Sequence, residues 1–99
     1  MAADRLAFII GASRGIGYAT ALRLAQDGFD VAATCRGDTA RLDGLRAQVE
    51  ALGRSFLPVS LDVTDRAESI RVITELFADK PPFAVVYNAG ISRDDLFAL

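Results

Sequence analysis

Two rhythms of apolar residues alternate along this chain. Unbroken runs, Leu6-Ala7-Phe8-Ile9-Ile10, Val31-Ala32-Ala33-Thr34-Cys35 and Phe83-Ala84-Val85-Val86-Tyr87, are separated by stretches in which apolar residues return every three or four positions. The first kind predicts strands. The run at 5–10, bounded by a charge and a glycine, reads as a strand buried on both faces of a parallel sheet. The second kind predicts amphipathic helices.

Three such helices are expected. Over 18–27, together with Ile16, the residues Ala19, Leu22, Leu24 and Ala25 supply an inward face, and Gly28 is a C-terminal stop. Over 40–52 the apolar positions are Leu42, Leu45, Val49 and Leu52, with Arg41, Arg46, Gln48 and Glu50 between them. Asp38 or Thr39 is its N-cap and Gly53 its terminator. The third is capped by Thr64 or Asp65, buries Ala67, Ile70, Ile73, Leu76 and Phe77, and ends at Pro81-Pro82. Residues 55–61 form a further strand, which Pro58 either places at a sheet edge or makes start late, because proline cannot donate to the ladder.

The order β-α-β-α-β-α-β predicts an α/β fold, a Rossmann-type doubly wound parallel sheet of four strands in the order 3-2-1-4 with three helices. In such a sheet a ligand lies beyond the C-terminal strand ends, at the switch between the first and fourth strands. Gly11 and Asn88 both fall there.

Between the first strand and first helix stands Gly11-Ala12-Ser13-Arg14-Gly15-Ile16-Gly17. A glycine turn at a helix start lets a phosphate approach bare backbone, while free amides and the positive end of the helix dipole face the anion. The spacing is not the G-x-G-x-x-G fingerprint, so the match lies in mechanism and context. The alternative is a turn whose glycines serve only close packing.

Composition narrows the chemistry. The 99 residues are 52% hydrophobic and 24% charged, as in an ordinary globular domain. The formal charge of −2 comes without a block of like charges, which predicts neither a nucleic-acid partner nor an anionic membrane surface. No apolar run approaches the ~18 residues of a membrane span, and no signal-peptide core is visible at the N-terminus, so the cytoplasm is the expected location. Cys35 is the only cysteine and there is no histidine, which excludes an internal disulfide, Cys/His zinc sites and histidine catalysis.

The chain resembles the short-chain dehydrogenase/reductase family, and within it the 3-oxoacyl-[acyl-carrier-protein] reductases. The resemblance rests on residues 11–17, on Asp62-Val63, on Asn88-Ala89-Gly90 and on Ile91-Ser92-Arg93-Asp94-Asp95-Leu96. Ile10 departs from it, since many members carry threonine before the first glycine. What the resemblance implies is a nicotinamide cofactor held by Gly11, Ser13, Arg14, Gly15, Ile16, Gly17, Arg36, Asp62, Val63, Asn88, Ala89 and Gly90. Asp62 would accept from the adenine amine and the Val63 amide would complete that contact. Asn88 would tie the sheet, with Ala89 and Gly90 passing close to the ribose. Ser13 offers a hydroxyl to phosphate or ribose, or serves as an N-cap.

Arg36 stands where an Asp or Glu would bind the adenosine ribose, about twenty residues past the glycine turn. With Arg14 it can receive a 2′-phosphate, which favours NADPH over NADH. The alternatives are a solvated Arg36, or Asp38 acting as the ribose carboxylate. Cys35 reads as a buried strand residue, and Ser92, Arg93 and Asp94 as a solvated loop or a substrate contact.

By resemblance the reaction is NADPH-dependent reduction of a 3-oxoacyl thioester in fatty acid biosynthesis, in a protein that forms homo-oligomers. Its proton would come from a tyrosine in a Tyr-x-x-x-Lys motif that this chain lacks: Leu22 and Ile91 follow Tyr18 and Tyr87 at that spacing. No catalytic residue is therefore assigned. The chain is expected to be the N-terminal half of one domain, inactive and weak in NADPH binding by itself, with the apolar fourth strand left as an edge. Two other functions stay open: a short-chain reductase of another ketone, sugar or alcohol, and a non-catalytic nucleotide-binding or assembly module.

Overall fold

The strand Leu6–Ile10 (β1) is buried from its second residue onward, as a continuous apolar run requires. A computed structural model of the protein describes residues 5–88. From β1 the chain continues through helix α1 (Gly15–Gln26), strand β2 (Asp30–Cys35), a 3-10 turn (Thr39–Leu42), helix α2 (Asp43–Ala51), strand β3 (Phe56–Ser60), helix α3 (Arg66–Leu76) and strand β4 (Ala84–Tyr87). The sheet runs β3-β2-β1-β4 and all its pairings are parallel, which is the Rossmann-type order expected. Pro58 pairs with Ala33 on the edge strand β3, where the ladder needs no second partner.

Alternation along β1 divides the core in two. Ala7 and Ile9 face Ala21 and Ala25 of α1 and Leu45 and Val49 of α2 in one cluster. Phe8 and Ile10 face the other way with Ala32, against Ile73 and Leu76 of α3 and the following Phe77. The Phe8 and Phe77 rings meet edge-on with centroids 5.0 Å apart. Phe8 and Ile9 are almost wholly buried, each contributing about 1.5–3 kcal/mol by leaving water. No helix of the described residues is long and apolar enough to cross a membrane.

Glycines and caps stop the helices where the sequence suggests. Gly28 (φ 100°) and Gly53 (φ 79°) adopt the left-handed conformation after α1 and α2. Asp65 Oδ1 accepts from Glu68 N–H at 3.0 Å and caps α3, not the neighbouring Thr64. The helix expected over 40–52 divides: Asp38 Oδ1 accepts from Ala40 N–H at 2.9 Å and caps the 3-10 turn, whereas α2 begins at Asp43 behind Leu42 with no side-chain cap.

Three packing expectations are corrected. The buried face of α1 is Gly17, Ala21 and Ala25, with Leu22 and Leu24 half-buried, whereas Ile16 and Ala19 are exposed. Four-residue steps from Gly17 keep the small residues against the sheet, and Ile16 opens onto the mouth of the turn. Leu52 is also exposed, because α2 ends at Ala51 before the apolar stripe can carry it inward. In α3 no residue is fully buried, and Ala67 and Ile70 are exposed. Among the described residues α3 is the only helix on its face of the sheet, so its first half has no neighbour to pack against.

Candidate functional site

Beyond the C-terminal ends of β1, β2 and β3 lies a crevice of about 470 Å³. It is lined by Gly11, Ser13, Arg14, Gly15 and Ile16 from the glycine turn, by Thr34, Cys35, Arg36 and Arg41 from the end of β2 and the turn after it, by Leu61, Asp62, Val63 and Thr64 after β3, and by Asn88 after β4. Segments distant in sequence meet here because a parallel sheet points all its strand ends one way.

The glycine turn is shaped by backbone conformation. Gly11 (φ 88°) and Gly15 (φ 67°) both occupy the left-handed region that side chains disfavour. Arg14 is the N-cap of α1, extended and with no side-chain cap hydrogen bond, which corrects the reading of Ser13 as a cap. No acidic residue occupies the first turn of α1, so its positive end faces the crevice unopposed.

Gly17 lies beneath the crevice and not on its wall. A Cβ there would stand 1.9 Å from the Gly11 carbonyl oxygen and 2.8 Å from Asn88 Nδ2. Its role is close approach of α1 to the turn. Asn88 anchors the opposite side, its amide donating to Ile10 O at 2.7 Å and its Nδ2 to Gly11 O at 3.4 Å.

Thr34 was not singled out by the sequence, yet it braces the turn. Its Oγ1 accepts from Gly11 N–H at 2.9 Å and its carbonyl from Ala12 N–H at 2.9 Å. The signal was present: a hydroxyl in an apolar strand must find a partner when buried. Cys35 is buried as expected, and its Sγ donates to Asp38 O at 3.4 Å. Burial pushes its thiol above the ordinary range, opposed by the nearby Arg41 guanidinium and reinforced by Asp38.

Asp62 is oriented by Thr64, whose hydroxyl and amide donate to Asp62 Oδ1 at 2.6 and 3.0 Å. Those bonds, the hydroxyl's first, hold the carboxyl below its usual range, with a further contribution from Arg36. Among the described residues Asp62 is the only carboxylate on the crevice wall, against the three guanidinium groups of Arg14, Arg36 and Arg41. Arg41 was expected only on the polar face of a helix, and nothing in its spacing marked it for this wall.

These three arginines form no hydrogen bond or ion pair among the described residues. Away from the crevice Arg23, Arg46 and Arg71 each pair with a carboxylate four residues on, at 3.4, 3.2 and 3.4 Å. The crevice thus holds cations whose side-chain donors have no acceptor among the described residues, next to a helix N-terminus. That is a wall built for an anion. Asp38 does not line it, and one of its carboxylate oxygens is engaged by Ala40. Ala89 and Gly90, with Ser92, Arg93 and Asp94, lie outside the described residues.

Known proteins resemble this chain in sequence and fold. The family described as short chain dehydrogenase matches residues 5–98. A 3-oxoacyl-[acyl-carrier-protein] reductase, FabG, of Aggregatibacter actinomycetemcomitans is 40% identical over 90 residues, which are 90% of this chain and 37% of that protein. A short-chain dehydrogenase of Sphingobium yanoikuyae in complex with NADPH is similar in structure, with a TM-score of 0.78 and 32% identity, covering 89% of this chain and 35% of that one. An acetoin dehydrogenase of Enterobacter cloacae follows with a TM-score of 0.73 and 31% identity, over 88% of this chain and 35% of that one. This chain therefore spans little more than a third of the length of those relatives. With that family matching residues 5–98, the whole of the described fold, the chain belongs to the short-chain dehydrogenase family.

Proposed function

We propose that this chain is the N-terminal, cofactor-holding part of an NADPH-dependent reductase that converts a 3-oxoacyl thioester on acyl-carrier protein to the 3-hydroxyacyl form. The observation that carries the cofactor reading is the placement of Arg14 and Arg36 on one wall with the open end of α1, with Asp62 the sole carboxylate of that wall among the described residues. A bare glycine turn and a helix N-terminus suit a pyrophosphate, and planar guanidinium forks suit the added 2′-phosphate. The absence of Asp38 from the crevice wall supports the same choice, because a ribose-binding carboxylate must reach the ribose hydroxyls.

In this reading Gly11, Ser13, Gly15, Ile16 and the first amides of α1 hold the pyrophosphate, and Gly17 permits the close approach. Asp62 and Val63 take the adenine, and Asn88 with Ala89 and Gly90 positions the ribose side. NADPH supplies the hydride when bound. Arg14 and Arg36 neutralise the 2′-phosphate, and Thr64 keeps Asp62 ionised and aimed for the adenine amine. In this reading the tyrosine that donates the proton, and the lysine that lowers its pKa, would come from sequence beyond this segment.

A partial domain is supported by β4. It pairs with β1 alone among the described residues, which leaves its outer edge open there, and Val85 and Tyr87, on the same face of the sheet as Phe8 and Ile10, are more than half exposed. Soluble proteins cover such an edge, and the continuation of the sheet is the natural cover. The acyl-thioester substrate rests on the likeness to the Aggregatibacter reductase and on the segment 91–96. The likeness to an acetoin dehydrogenase favours a second reading, a reductase of a small ketone.

The test is the intact protein assayed with acetoacetyl thioester and with acetoin, each with NADPH and NADH. Thioester reduction with NADPH is expected, with preference shifting toward NADH in Arg36→Asp. Turnover of acetoin alone would support the second reading, and a native preference for NADH would overturn the cofactor assignment. A Tyr-x-x-x-Lys motif encoded downstream would separate both enzymes from a non-catalytic nucleotide module.

A further inference from the structure

We propose that Arg41 is a third phosphate-binding residue of the crevice, so that selectivity for a 2′-phosphorylated nucleotide is set by the turn Thr39–Leu42 as well as by the end of β2. The inference rests on the NADPH reading and extends it to a residue outside the glycine turn and the β2 terminus.

Arg41 is placed by a backbone that is tied down. Its own amide donates to Asp38 O at 3.1 Å, and the Ala40 amide donates to Asp38 Oδ1 at 2.9 Å. The Cys35 thiol donates to the same Asp38 carbonyl at 3.4 Å, linking the turn to the end of β2. Next in sequence, Leu42 is 1% exposed and locked in the core. Arg41 is therefore carried on a short, doubly anchored turn and lines the crevice, whereas its exposed neighbours Ala40 and Asp43 do not.

Its chemistry matches what a phosphate monoester needs. Such a group carries about −1.5 to −2 charges at neutral pH and three acceptor oxygens, more than one bidentate guanidinium satisfies. Asp43 is the carboxylate nearest in sequence, but side chains two apart do not face each other at a helix start, and Asp38, three away, accepts from the Ala40 amide; neither pairs with Arg41 among the described residues. The helix-surface arginines Arg23, Arg46 and Arg71 each have a carboxylate at the i+4 spacing, whereas position 45, four beyond Arg41, is a buried leucine. Arg41 thus keeps its donors for a ligand.

The experiment compares binding of 2′,5′-ADP and 5′-AMP to the intact protein by calorimetry, in wild type, Arg36→Gln, Arg41→Gln and Arg41→Lys. Arg41→Gln is expected to weaken 2′,5′-ADP by about tenfold, the scale of one charge-assisted contact, and to leave 5′-AMP unchanged. Arg41→Lys should recover part of the loss, since the charge returns without the fork. If Arg41→Gln weakens neither nucleotide, or both equally, while Arg36→Gln still discriminates, Arg41 is not a phosphate ligand and the NADPH reading stands. If the wild type itself fails to prefer 2′,5′-ADP, the NADPH reading falls and this inference with it. Arg41 is exposed, so thermal melts of the variants should match wild type and separate a binding effect from a folding one.

Discussion

The hydroxyl of Thr34 accepts the Gly11 amide at 2.9 Å, tying the end of β2 to the first residue of the glycine turn across 23 positions of sequence. Thr34 is 1% exposed, so this bond is made away from water. Ile10, directly before the turn, offers no hydroxyl of its own. The brace comes instead from the neighbouring strand, in register with β1 through Ile9 and Ala33.

Replacing Thr34 with valine keeps the shape and removes the acceptor. With the Gly11 N–H left unpaired, Thr34→Val is expected to lower stability by about 1–3 kcal/mol. Urea unfolding monitored by circular dichroism measures the loss, and faster hydrogen exchange at Gly11 localises it. An unchanged midpoint together with unchanged exchange would show that the bond contributes nothing.

Gly17 and Gly15 should respond differently to alanine. At Gly17 the new methyl would meet the Gly11 carbonyl at 1.9 Å, a backbone atom that cannot rotate aside, so helix and turn must separate. That overpacking is expected to cost about 3 kcal/mol or more and to abolish nucleotide binding. At Gly15 nothing lies within 4 Å of a new Cβ, and the cost is the φ of 67° alone, roughly 1–2 kcal/mol. Parallel melts of the two variants test the ranking. Equal destabilisation would mean that turn and helix yield more readily than their contact implies.

Asp62 predicts a component of acid sensitivity. Its carboxyl is held below the ordinary range by Thr64 and, to a lesser degree, Arg36. A carboxylate with a depressed folded-state pKa contributes stability that is present above the unfolded value, near 3.9, and is lost as pH falls through the lower folded value. Stability measured from pH 5 downward should therefore decline less steeply in Asp62→Asn, which has no such proton to take up. Thr64→Val should reduce the same component by removing the hydroxyl donor. Identical acid limbs in wild type and Asp62→Asn would remove Asp62 as their source.

Much of the fold was legible because the signals are local. The apolar run at β1, the glycine stops at 28 and 53, the edge proline in β3 and the aspartate caps each express a constraint that acts within a few residues. Helix faces were less legible. Periodicity shows which residues share a stripe but not whether a partner covers it, so Ile16, Leu52 and Ile70 were expected inside and lie exposed.

The sequence by itself determined the alternation of strands and helices, the glycine turn that opens α1 and the pairing order that follows from such a chain. These follow from backbone sterics, capping and hydrophobic periodicity, whose range is one turn or one strand. Only the tertiary structure decided that Thr34 braces Gly11 and that Arg41 joins Arg14 and Arg36 around one crevice. Those relations depend on strand register and on how a 3-10 turn presents its side chains, and spacing along the chain carries neither.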